Sequence, residues 1–246
     1  MVEQQIDIAT ADGRMSTFIC HPERGGPWPV ILFFMDAPGI REELRDMARR
    51  LAAPGYYVML PNMYYREGVE EIGSFVGPGA EAVREKMFAL MASLDIPMVM
   101  ADADALLAHA AGDPAASKGP AGAIGYCMSG RYALSAAARH PDRVKAAASL
   151  YGVRLVTDQP DSPHRTCAAV TGELYVAWAE TDHYAPLEEL PPLREAFEAA
   201  GLNAEVELYE GAEHGFAFPQ RAAYNRDAAE RHWERLFAMF TRNLTR

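Results

Sequence analysis

The sequence predicts an α/β fold with a mostly parallel central sheet and helices on both of its faces. Segments with strand character alternate with helical segments along the whole chain, which is the arrangement that builds parallel sheets. Several strands, such as PVILFFMD, are continuous apolar runs, as expected for strands that are buried on both faces. No repeat, low-complexity tract or linker divides the chain. We therefore expect residues 1–246 to form a single domain.

The first half of the chain predicts a hairpin, two buried strands and the helices around them. Asp12-Gly13 separates two alternating runs, which favours an antiparallel hairpin at the edge of the sheet. PVILFFMD and YYVMLPN follow as strands, and the helical segment between them stops at Pro54-Gly55. Residues 64–80 contain Gly and Pro and predict a loop, whereas residues 81–112 predict a helix that is interrupted near Pro97.

The second half of the chain repeats the strand–helix alternation. The strand in AGAIGYCMSG runs into a turn, and the helix after it ends at Pro141. Three further strands are predicted in VKAAASLYG, ELYVAWAE and AEVELYEG, with a helix over residues 187–200 between the last two. Residues 221–244 predict a long amphipathic helix. In sheets of this kind, ligands bind beyond the carboxyl ends of the strands.

Composition narrows the classes of partner and compartment. The net charge of −11 argues against nucleic acid and anionic membranes as partners. The N-terminal residues lack the basic and apolar regions of a secretory signal, and no run of apolar residues is long enough to span a membrane. Three widely spaced cysteines do not form a disulfide framework. We therefore expect a cytoplasmic protein with reduced thiols.

The segment Gly125-Tyr126-Cys127-Met128-Ser129-Gly130 carries the first chemical signal. It lies where a strand meets a helix and matches the pattern of a nucleophile elbow. In that pattern the residue two positions before the nucleophile and the residue two positions after it are both small. Cys127 is the predicted nucleophile, and the Met128 N–H is a predicted oxyanion donor. Centring the pattern on Ser129 would put Arg131 at a small position, so we reject that reading. A buried structural thiol is the alternative for Cys127.

A thiol needs a base to become an effective nucleophile. The residues that follow Cys127 can supply an acid and then a histidine, which is the chain order of nucleophile, acid and base in α/β-hydrolases. Asp182 follows the strand ELYVAWAE and His214 follows the strand AEVELYEG, so both are expected at the same edge of the sheet as Cys127. His183 competes as the base, and Glu180 and Glu213 compete as the acid. The other histidines are expected to be surface or core residues: His21, His109, His140, His164 and His232.

These motifs resemble those of the dienelactone hydrolase family, also called carboxymethylenebutenolidases, which have the α/β-hydrolase fold. The similarity runs from the opening hairpin to the final helix. It rests on Gly125-Tyr126-Cys127, on Thr181-Asp182-His183 with Pro186, and on Tyr209-Glu210-Gly211-Ala212-Glu213-His214. The resemblance implies a cysteine nucleophile at Cys127, with its acid at Asp182 and its base at His214.

The resemblance also assigns residues around the triad. It implies that the Ala37 N–H is the second oxyanion donor and that Asp36, where the family has a glutamate, controls the thiol. Arg84 matches one of the two arginines that hold a carboxylate in the family's substrate, and Tyr126 is placed at the substrate. Phe218 stands where the second arginine is expected, which suggests a more hydrophobic or differently charged substrate. A turn residue is the alternative for Asp36, and a solvated helix charge is the alternative for Arg84.

The expected function is therefore hydrolysis of a small carboxylic ester or lactone through a cysteine acyl-enzyme. No cofactor is expected, and no metal, because the sequence shows no ligand cluster of plausible spacing. Two alternatives stay open. One is a thioesterase or general carboxylesterase that uses the same triad. The other is a ligand-binding or redox protein on the same scaffold, with Cys127 as a peroxide-sensitive thiol.

Overall fold

The central sheet has eight strands in the computed structural model, which describes residues 1–244. In chain order they are β1 (Val2–Thr10), β2 (Gly13–His21), β3 (Val30–Phe34), β4 (Tyr57–Pro61), β5 (Ala121–Tyr126), β6 (Val144–Leu150), β7 (Glu173–Thr181) and β8 (Ala204–Glu213). Their spatial order is β1-β2-β4-β3-β5-β6-β7-β8. The strands from β4 to β8 in this order are parallel, whereas β1 and β2 form the predicted antiparallel hairpin, with Thr10 opposite Gly13.

Seven α-helices of the described residues connect and cover the strands. They are α1 (Glu42–Ala52), α2 (Ala80–Ala92), α3 (Ile96–Gly112), α4 (Gly130–Arg139), α5 (Pro163–Thr166), α6 (Leu190–Ala199) and α7 (Arg226–Asn243). Within residues 1–244, none of them combines the length and hydropathy needed to cross a bilayer.

The helices lie on both faces of the sheet, as β5 shows. A Cβ atom at Gly122 would touch Phe240 of α7, whereas one at Gly125 would meet the start of α4. Residues three apart in a strand point to opposite faces, so α4 and α7 cover opposite sides of the sheet. Helix α3 packs beside α4, and α1 joins α7 through the ion pair of Arg50 with Glu230. The predicted fold class is confirmed.

Two elements differ from the sequence prediction. The final helix begins at Arg226 and not at residue 221, because the Asn225 side chain accepts a hydrogen bond from the Ala228 N–H and caps the helix. Residues 219–225 are instead a loop that brings Arg221 to the carboxyl edge of the sheet. The short helix α5 was not predicted, since four residues are too few for a periodic pattern.

The break predicted near Pro97 lies just before it. Helix α2 ends at Ala92, and Asp95 caps α3 by accepting a hydrogen bond from the Met98 N–H. Pro97 then occupies the first turn of α3, where a missing N–H costs no helical hydrogen bond.

Small residues let α4 approach the sheet at the carboxyl end of β5. A Cβ atom at Gly130 would lie 2.6 Å from the Gly152 Cα and 2.2 Å from the Ser149 Oγ. A Cβ at Gly125 would lie 2.1 Å from the Ser129 carbonyl oxygen. The turn between β5 and α4 therefore has no room for a side chain at either glycine.

Gly125→Ala should lower the free energy of unfolding by about 3 kcal/mol, because the atom that the new methyl group meets belongs to the backbone and cannot rotate away. Urea denaturation followed by circular dichroism would measure this loss. Gly112→Ala is the matched control, since nothing lies within 4 Å of its Cβ position and it ends a helix. That control should be neutral or stabilising by up to about 1 kcal/mol. Equal stability of both variants would contradict the steric account.

Candidate active site

Cys127 occupies a strained turn between β5 and α4. Its φ is 55°, one of only three positive values among the non-glycine residues of the described chain. Tyr126 before it is extended, and a short 3-10 helix from Cys127 to Ser129 leads into α4. The Val153 N–H donates a hydrogen bond of 3.0 Å to the Cys127 carbonyl oxygen. The turn holds Cys127 at the carboxyl edge of the sheet, partly exposed.

An imidazole–carboxylate pair lies at the ends of the neighbouring strands β7 and β8. His214 Nδ1 and Asp182 Oδ2 are 2.7 Å apart, and the Asp182 side chain is fully buried. The other oxygen, Asp182 Oδ1, accepts hydrogen bonds from the N–H groups of Tyr184 and Ala185 at 2.8 and 3.1 Å. These backbone donors orient the carboxylate, which in turn orients the imidazole.

His214 presents its second ring nitrogen to the pocket. Nε2 is buried and has no hydrogen bond of regular geometry within residues 1–244, while the Cys127 side chain is close enough to raise the pKa of the ring. The ring lies between Tyr151 and Tyr184, whose ring centroids are 4.9 and 5.0 Å away in edge-on contacts. A buried ring nitrogen with no partner is available to exchange a proton with a neighbouring group.

The surroundings of His214 favour its charged form. Burial alone lowers the pKa of the imidazole, but the hydrogen bond to Asp182 and the neighbouring Cys127 outweigh it and raise the pKa from 6.5 to about 9. Because the pKa in the folded protein is the higher one, protonation stabilises the fold in full below pH 6.5. That contribution is lost as the pH rises through about 9.

A pocket of about 220 Å³ opens above the thiol. Cys127 and His214 share its wall, and Asp182 supports His214 from behind. The remaining lining is largely apolar and consists of Ala37, Pro38, Met87, Phe88, Met91, Val153, Arg154, Tyr184 and Arg221. A second, outer cavity of about 670 Å³ adjoins it, formed largely by residues 71–76, α2 and the loop 220–222. The pocket is therefore sized for a small molecule with an apolar part.

The loop after β3 and the turn at Cys127 are joined by one tyrosine. The Tyr64 hydroxyl donates to the Ala37 carbonyl oxygen at 2.7 Å and also contacts the Met128 sulfur at 3.5 Å. Burial raises the pKa of Tyr64 well above its ordinary value, so the hydroxyl stays neutral and remains a donor. Tyr64 thus fixes the two predicted oxyanion segments relative to each other.

Comparison with known proteins places this geometry in a family, because the model of the dienelactone hydrolase family matches residues 15–244. The chain belongs to the dienelactone hydrolase family. A Methylorubrum extorquens protein with a provisional carboxymethylenebutenolidase name is 29% identical over 240 residues, covering 96% of this chain and 79% of that protein. The Pseudomonas putida carboxymethylenebutenolidase is 28% identical over 232 residues, covering 93% and 92%.

The solved structures agree with the family assignment. A crystal structure from Klebsiella pneumoniae, provisionally named a dienelactone hydrolase, superposes with a TM-score of 0.85 at 25% identity and covers 98% of both chains. The chain is thus a dienelactone hydrolase-like hydrolase with the α/β-hydrolase fold.

Within this dienelactone hydrolase-like site, Asp36 is bound by arginines. Its side chain is fully buried, with Oδ1 2.5 Å from Arg41 Nη1 and Oδ2 2.6 Å from Arg221 Nη2. Arg41 also pairs with Glu43 at 2.9 Å. Burial lowers the pKa of Arg41, but Asp36 and Glu43 outweigh it and raise the pKa above its ordinary value. Both carboxylate oxygens of Asp36 are therefore used by ion pairs, so any control of the thiol would act through these arginines.

None of the three residues that the resemblance assigned to the substrate lines the pocket with Cys127. Tyr126 is fully buried, and its hydroxyl is 3.0 Å from His232 Nε2 in the core. Phe218 is also fully buried, with its ring 4.9 Å from the Arg221 guanidinium and 5.0 Å from that of Arg41. Arg84 is exposed and lines only the outer cavity. The structure therefore differs from the prediction for Tyr126 and Phe218, because both side chains pack behind the pocket.

The competing acids and bases lie away from the imidazole–carboxylate pair. Glu180 accepts a hydrogen bond from the Gly211 N–H at 2.8 Å, and Glu213 is exposed. The competing base, His183, is exposed. His232, which was expected to be a surface or core residue, is buried in the core, where burial lowers its pKa to about 3. Within the described chain, no group of three or more His, Cys, Asp or Glu side chains could hold a metal ion.

Sequence reasoning missed most of the residues that line the pocket, among them Phe88, Arg154, Tyr184 and Arg221. Phe88 could have been found from its neighbours Met87 and Met91, because residues three and four apart share a helix face. Tyr184 follows the predicted acid by two positions. No sequence signal identifies Arg154 or Arg221 as pocket residues. The position of Arg154 depends on its own left-handed backbone conformation, and that of Arg221 depends on where α7 begins.

Asp182→Asn should reduce kcat/KM for an ester by about a hundredfold or more, because the amide presents a donor to the imidazole and favours the wrong tautomer. It should also lower the pKa of His214, since a hydrogen bond that raises that pKa is lost. The decline of kcat/KM near pH 9 should therefore move to lower pH. A pH–rate profile of both proteins would measure the shift.

Glu213→Gln controls for the loss of a carboxylate beside His214, because this side chain is exposed and is not bound to the imidazole. It should keep the profile of the unaltered protein. A profile that moves in Glu213→Gln and stays in Asp182→Asn would reverse the assignment of the acid.

Asp36→Asn should lower the free energy of unfolding by about 3 kcal/mol, because it removes the charge that compensates two arginines that are largely buried. Glu42→Gln is the matched control, since Glu42 is exposed and pairs with arginines at the surface. It should cost less than about 1 kcal/mol. Urea titrations of both variants would measure the two changes in the free energy of unfolding. Equal losses would mean that the ion pairs of Asp36 stabilise the fold no more than surface ion pairs do.

Proposed function

We propose that the chain hydrolyses a small carboxylic ester or lactone through a thioester formed on Cys127. The observation that carries the proposal is the hydrogen-bonded Asp182–His214 pair, whose unpartnered Nε2 lies in the same pocket as a thiol in a strained elbow. Nucleophile, base and orienting acid are the three parts that acyl transfer requires. Membership of the dienelactone hydrolase family supports the same chemistry.

The first half of the reaction forms the acyl-enzyme. The Cys127 proton passes to His214 Nε2, and the thiolate attacks the carbonyl carbon of the substrate to give a tetrahedral oxyanion. The carbonyl re-forms as the C–O bond breaks, and the His214 imidazolium gives its proton to the leaving alkoxide. The raised pKa of His214 suits this role, because the imidazole must hold the proton until the leaving oxygen takes it.

The second half returns the enzyme to its starting state. A water molecule gives a proton to His214 Nε2 as its oxygen attacks the thioester carbon. The C–S bond then breaks, and the Cys127 thiolate leaves beside the imidazolium. Asp182 supports the imidazolium in both halves by accepting the Nδ1 proton in a hydrogen bond.

Two backbone N–H groups, those of Met128 and Ala37, are the proposed oxyanion donors. Met128 follows the nucleophile in the 3-10 turn, and Ala37 lines the pocket opposite it. Tyr64 ties both segments together, which keeps the donors in place during the reaction. Each such donor typically contributes about 3 kcal/mol to the stabilisation of the transition state.

A hydrolysis panel tests the proposal. Purified protein should turn over p-nitrophenyl butyrate, and it should do so through an acyl-cysteine that intact-protein mass spectrometry detects after rapid acid quench. Cys127→Ala and iodoacetamide should both abolish turnover, while Cys167→Ala, which removes a buried thiol outside the pocket, should not. Dienelactone and an acyl-thioester in the same panel would define the substrate class.

The outcomes separate the alternatives. Turnover that persists in Cys127→Ala would refute the nucleophile. Preference for the acyl-thioester would change the proposed substrate from an ester to a thioester and would leave the proposed mechanism unchanged. Peroxide consumption by Cys127 without turnover of any ester would replace the hydrolase with a redox protein.

A further inference from the structure

Large apolar side chains at the surface are grouped around the opening of the thiol pocket. Within residues 1–244, five such side chains are exposed: Met1, Val76, Phe88, Tyr184 and Leu187. Three of them, Val76, Phe88 and Tyr184, line the outer cavity of about 670 Å³. Exposed apolar side chains that lie together mark a binding surface, whereas single ones need no explanation. The rim of this cavity is therefore a candidate site for an apolar ligand.

The outer cavity is continuous with the pocket that contains Cys127. The two cavities share five wall residues: Pro38, Met87, Phe88, Tyr184 and Arg221. A molecule held at the thiol can therefore extend past these side chains into the outer cavity. This continuity favours the substrate itself as the occupant, because the exposed apolar residues border the way to the reacting sulfur.

Helix α2 supplies one wall of both cavities through an apolar face. Met87, Phe88 and Met91 lie on the same side of the helix, because residues three and four positions apart are neighbours on its surface. All three line the thiol pocket, and Met87 and Phe88 also line the outer cavity. Of the residues of α2, all of which are described, only Leu90 is buried. The apolar face of this helix thus borders the cavities more than the core.

The segment before α2 continues the apolar wall. Ile72 is buried, Phe75 is half-buried against the core, and Val76 is exposed at the rim. All three line the outer cavity, and so does the buried Ile40 on the loop after β3. An alkyl chain that entered the outer cavity would therefore leave water for largely apolar surroundings, which is the transfer that stabilises apolar binding.

Most of the charges in the outer cavity are compensated from within the protein. Five charged side chains line it, and four of them have an internal counter-charge: Arg41, Glu43 and Arg221 belong to the ion pairs around Asp36, and Glu71 pairs with Arg45. Such groups offer little to a charged ligand, because an existing ion pair would have to break. The fifth, Arg84, is exposed and does not line the thiol pocket.

The position of the base indicates which part of an ester extends into the outer cavity. In the proposed reaction, His214 Nε2 gives its proton to the leaving oxygen, so the alcohol part lies beside the imidazole. His214 lines the thiol pocket but not the outer cavity. The acyl part is therefore the part that extends past Met87 and Phe88.

We propose that the outer cavity is an acyl-chain subsite, in which α2 and residues 72–76 bind the alkyl chain of the acyl group. The inference rests on the proposed hydrolase function and specifies its substrate class: esters of medium-length, uncharged carboxylic acids. Phe88 is the specificity-determining residue, because it lines both cavities and its ring is 39% exposed to them and to solvent.

A series of p-nitrophenyl esters from butanoate to octanoate tests the proposal, since only the length of the acyl chain changes. We expect KM to fall about two- to fourfold for each added CH2 group, the larger value being that for complete transfer of the group out of water. The value of kcat should change little, because contacts to the chain are the same before and during the reaction. A KM that is independent of chain length, or that rises with it, would overturn the proposal.

Three variants locate the subsite. Phe88→Ala should reduce the ratio of the butanoate KM to the octanoate KM about tenfold, because the chain loses the ring at the junction of the cavities. Val76→Ser changes the outer cavity alone, so it should raise the KM of octanoate more than that of butanoate. Leu187→Ser is the matched control, since Leu187 is an exposed apolar residue that lines neither cavity, and it should keep the ratio. Equal ratios in Phe88→Ala and Leu187→Ser would refute the role of Phe88.

Two further comparisons test the chemistry and the direction of the chain. A lower KM for the mono-p-nitrophenyl ester of glutarate than for p-nitrophenyl pentanoate would overturn the proposal, because the subsite would then be polar and Arg84 would be its cation. Lengthening the alcohol part, from ethyl to hexyl butanoate, should lower KM less than lengthening the acyl part by the same four carbon atoms. The reverse order would refute the assignment of the outer cavity to the acyl group.

Binding without turnover keeps the test independent of the proposed reaction. Titration calorimetry into Cys127→Ala should show tighter binding of the octanoate ester than of the butanoate ester, with a more negative heat-capacity change. If the unaltered protein hydrolyses neither ester, the proposed function fails, and the calorimetric comparison still decides whether the subsite exists. Equal affinities, together with a dimer in sedimentation that Val76→Ser dissociates, would assign the exposed apolar residues to self-association and refute the subsite.

Discussion

The left-handed backbone of Cys127 is the constraint on which the pocket depends. It can form because Gly125 and Gly130 leave no side chain in the turn, which lets α4 start directly at the carboxyl end of β5. The same turn accepts the hydrogen bond of the Val153 N–H, so the segment after β6 is placed relative to the thiol. The wall of the pocket on that side thus follows from the geometry of one residue.

Two aspartates with buried side chains lie at the same edge of the sheet and have different electrostatic roles, because their partners differ. Asp182 accepts from two backbone N–H groups and from His214, so its charge acts on the imidazole and raises the pKa of that ring. Asp36 is bound by Arg41 and Arg221, so its charge compensates two cations. The second arrangement places Arg221 in the pocket wall with its charge compensated from within the protein.

Much of the fold could be predicted because its signals are local. Apolar runs identified β3 and β5, Asp12-Gly13 identified the hairpin, and the chain order of Cys127, Asp182 and His214, which follow β5, β7 and β8, matched a known arrangement. The start of α7 was predicted too early because amphipathic spacing continues through residues 221–225, whereas the cap at Asn225 is a matter of side-chain geometry. Phe218 was expected at the substrate, but its position in the core depends on how the loop 215–225 folds back.

The sequence by itself determined the α/β class, the elbow and the residue types available for acyl transfer. These features follow from hydrophobic periodicity, from the placement of small residues and from the order of residues along the chain, none of which requires a three-dimensional structure. The tertiary structure decided which charges meet. Asp36 and Arg221 are 185 positions apart and form an ion pair, whereas Arg154 and Arg131 line one cavity and form no ion pair within residues 1–244. Electrostatic pairing depends on distances and burial in three dimensions, and these exist only after the strands have packed.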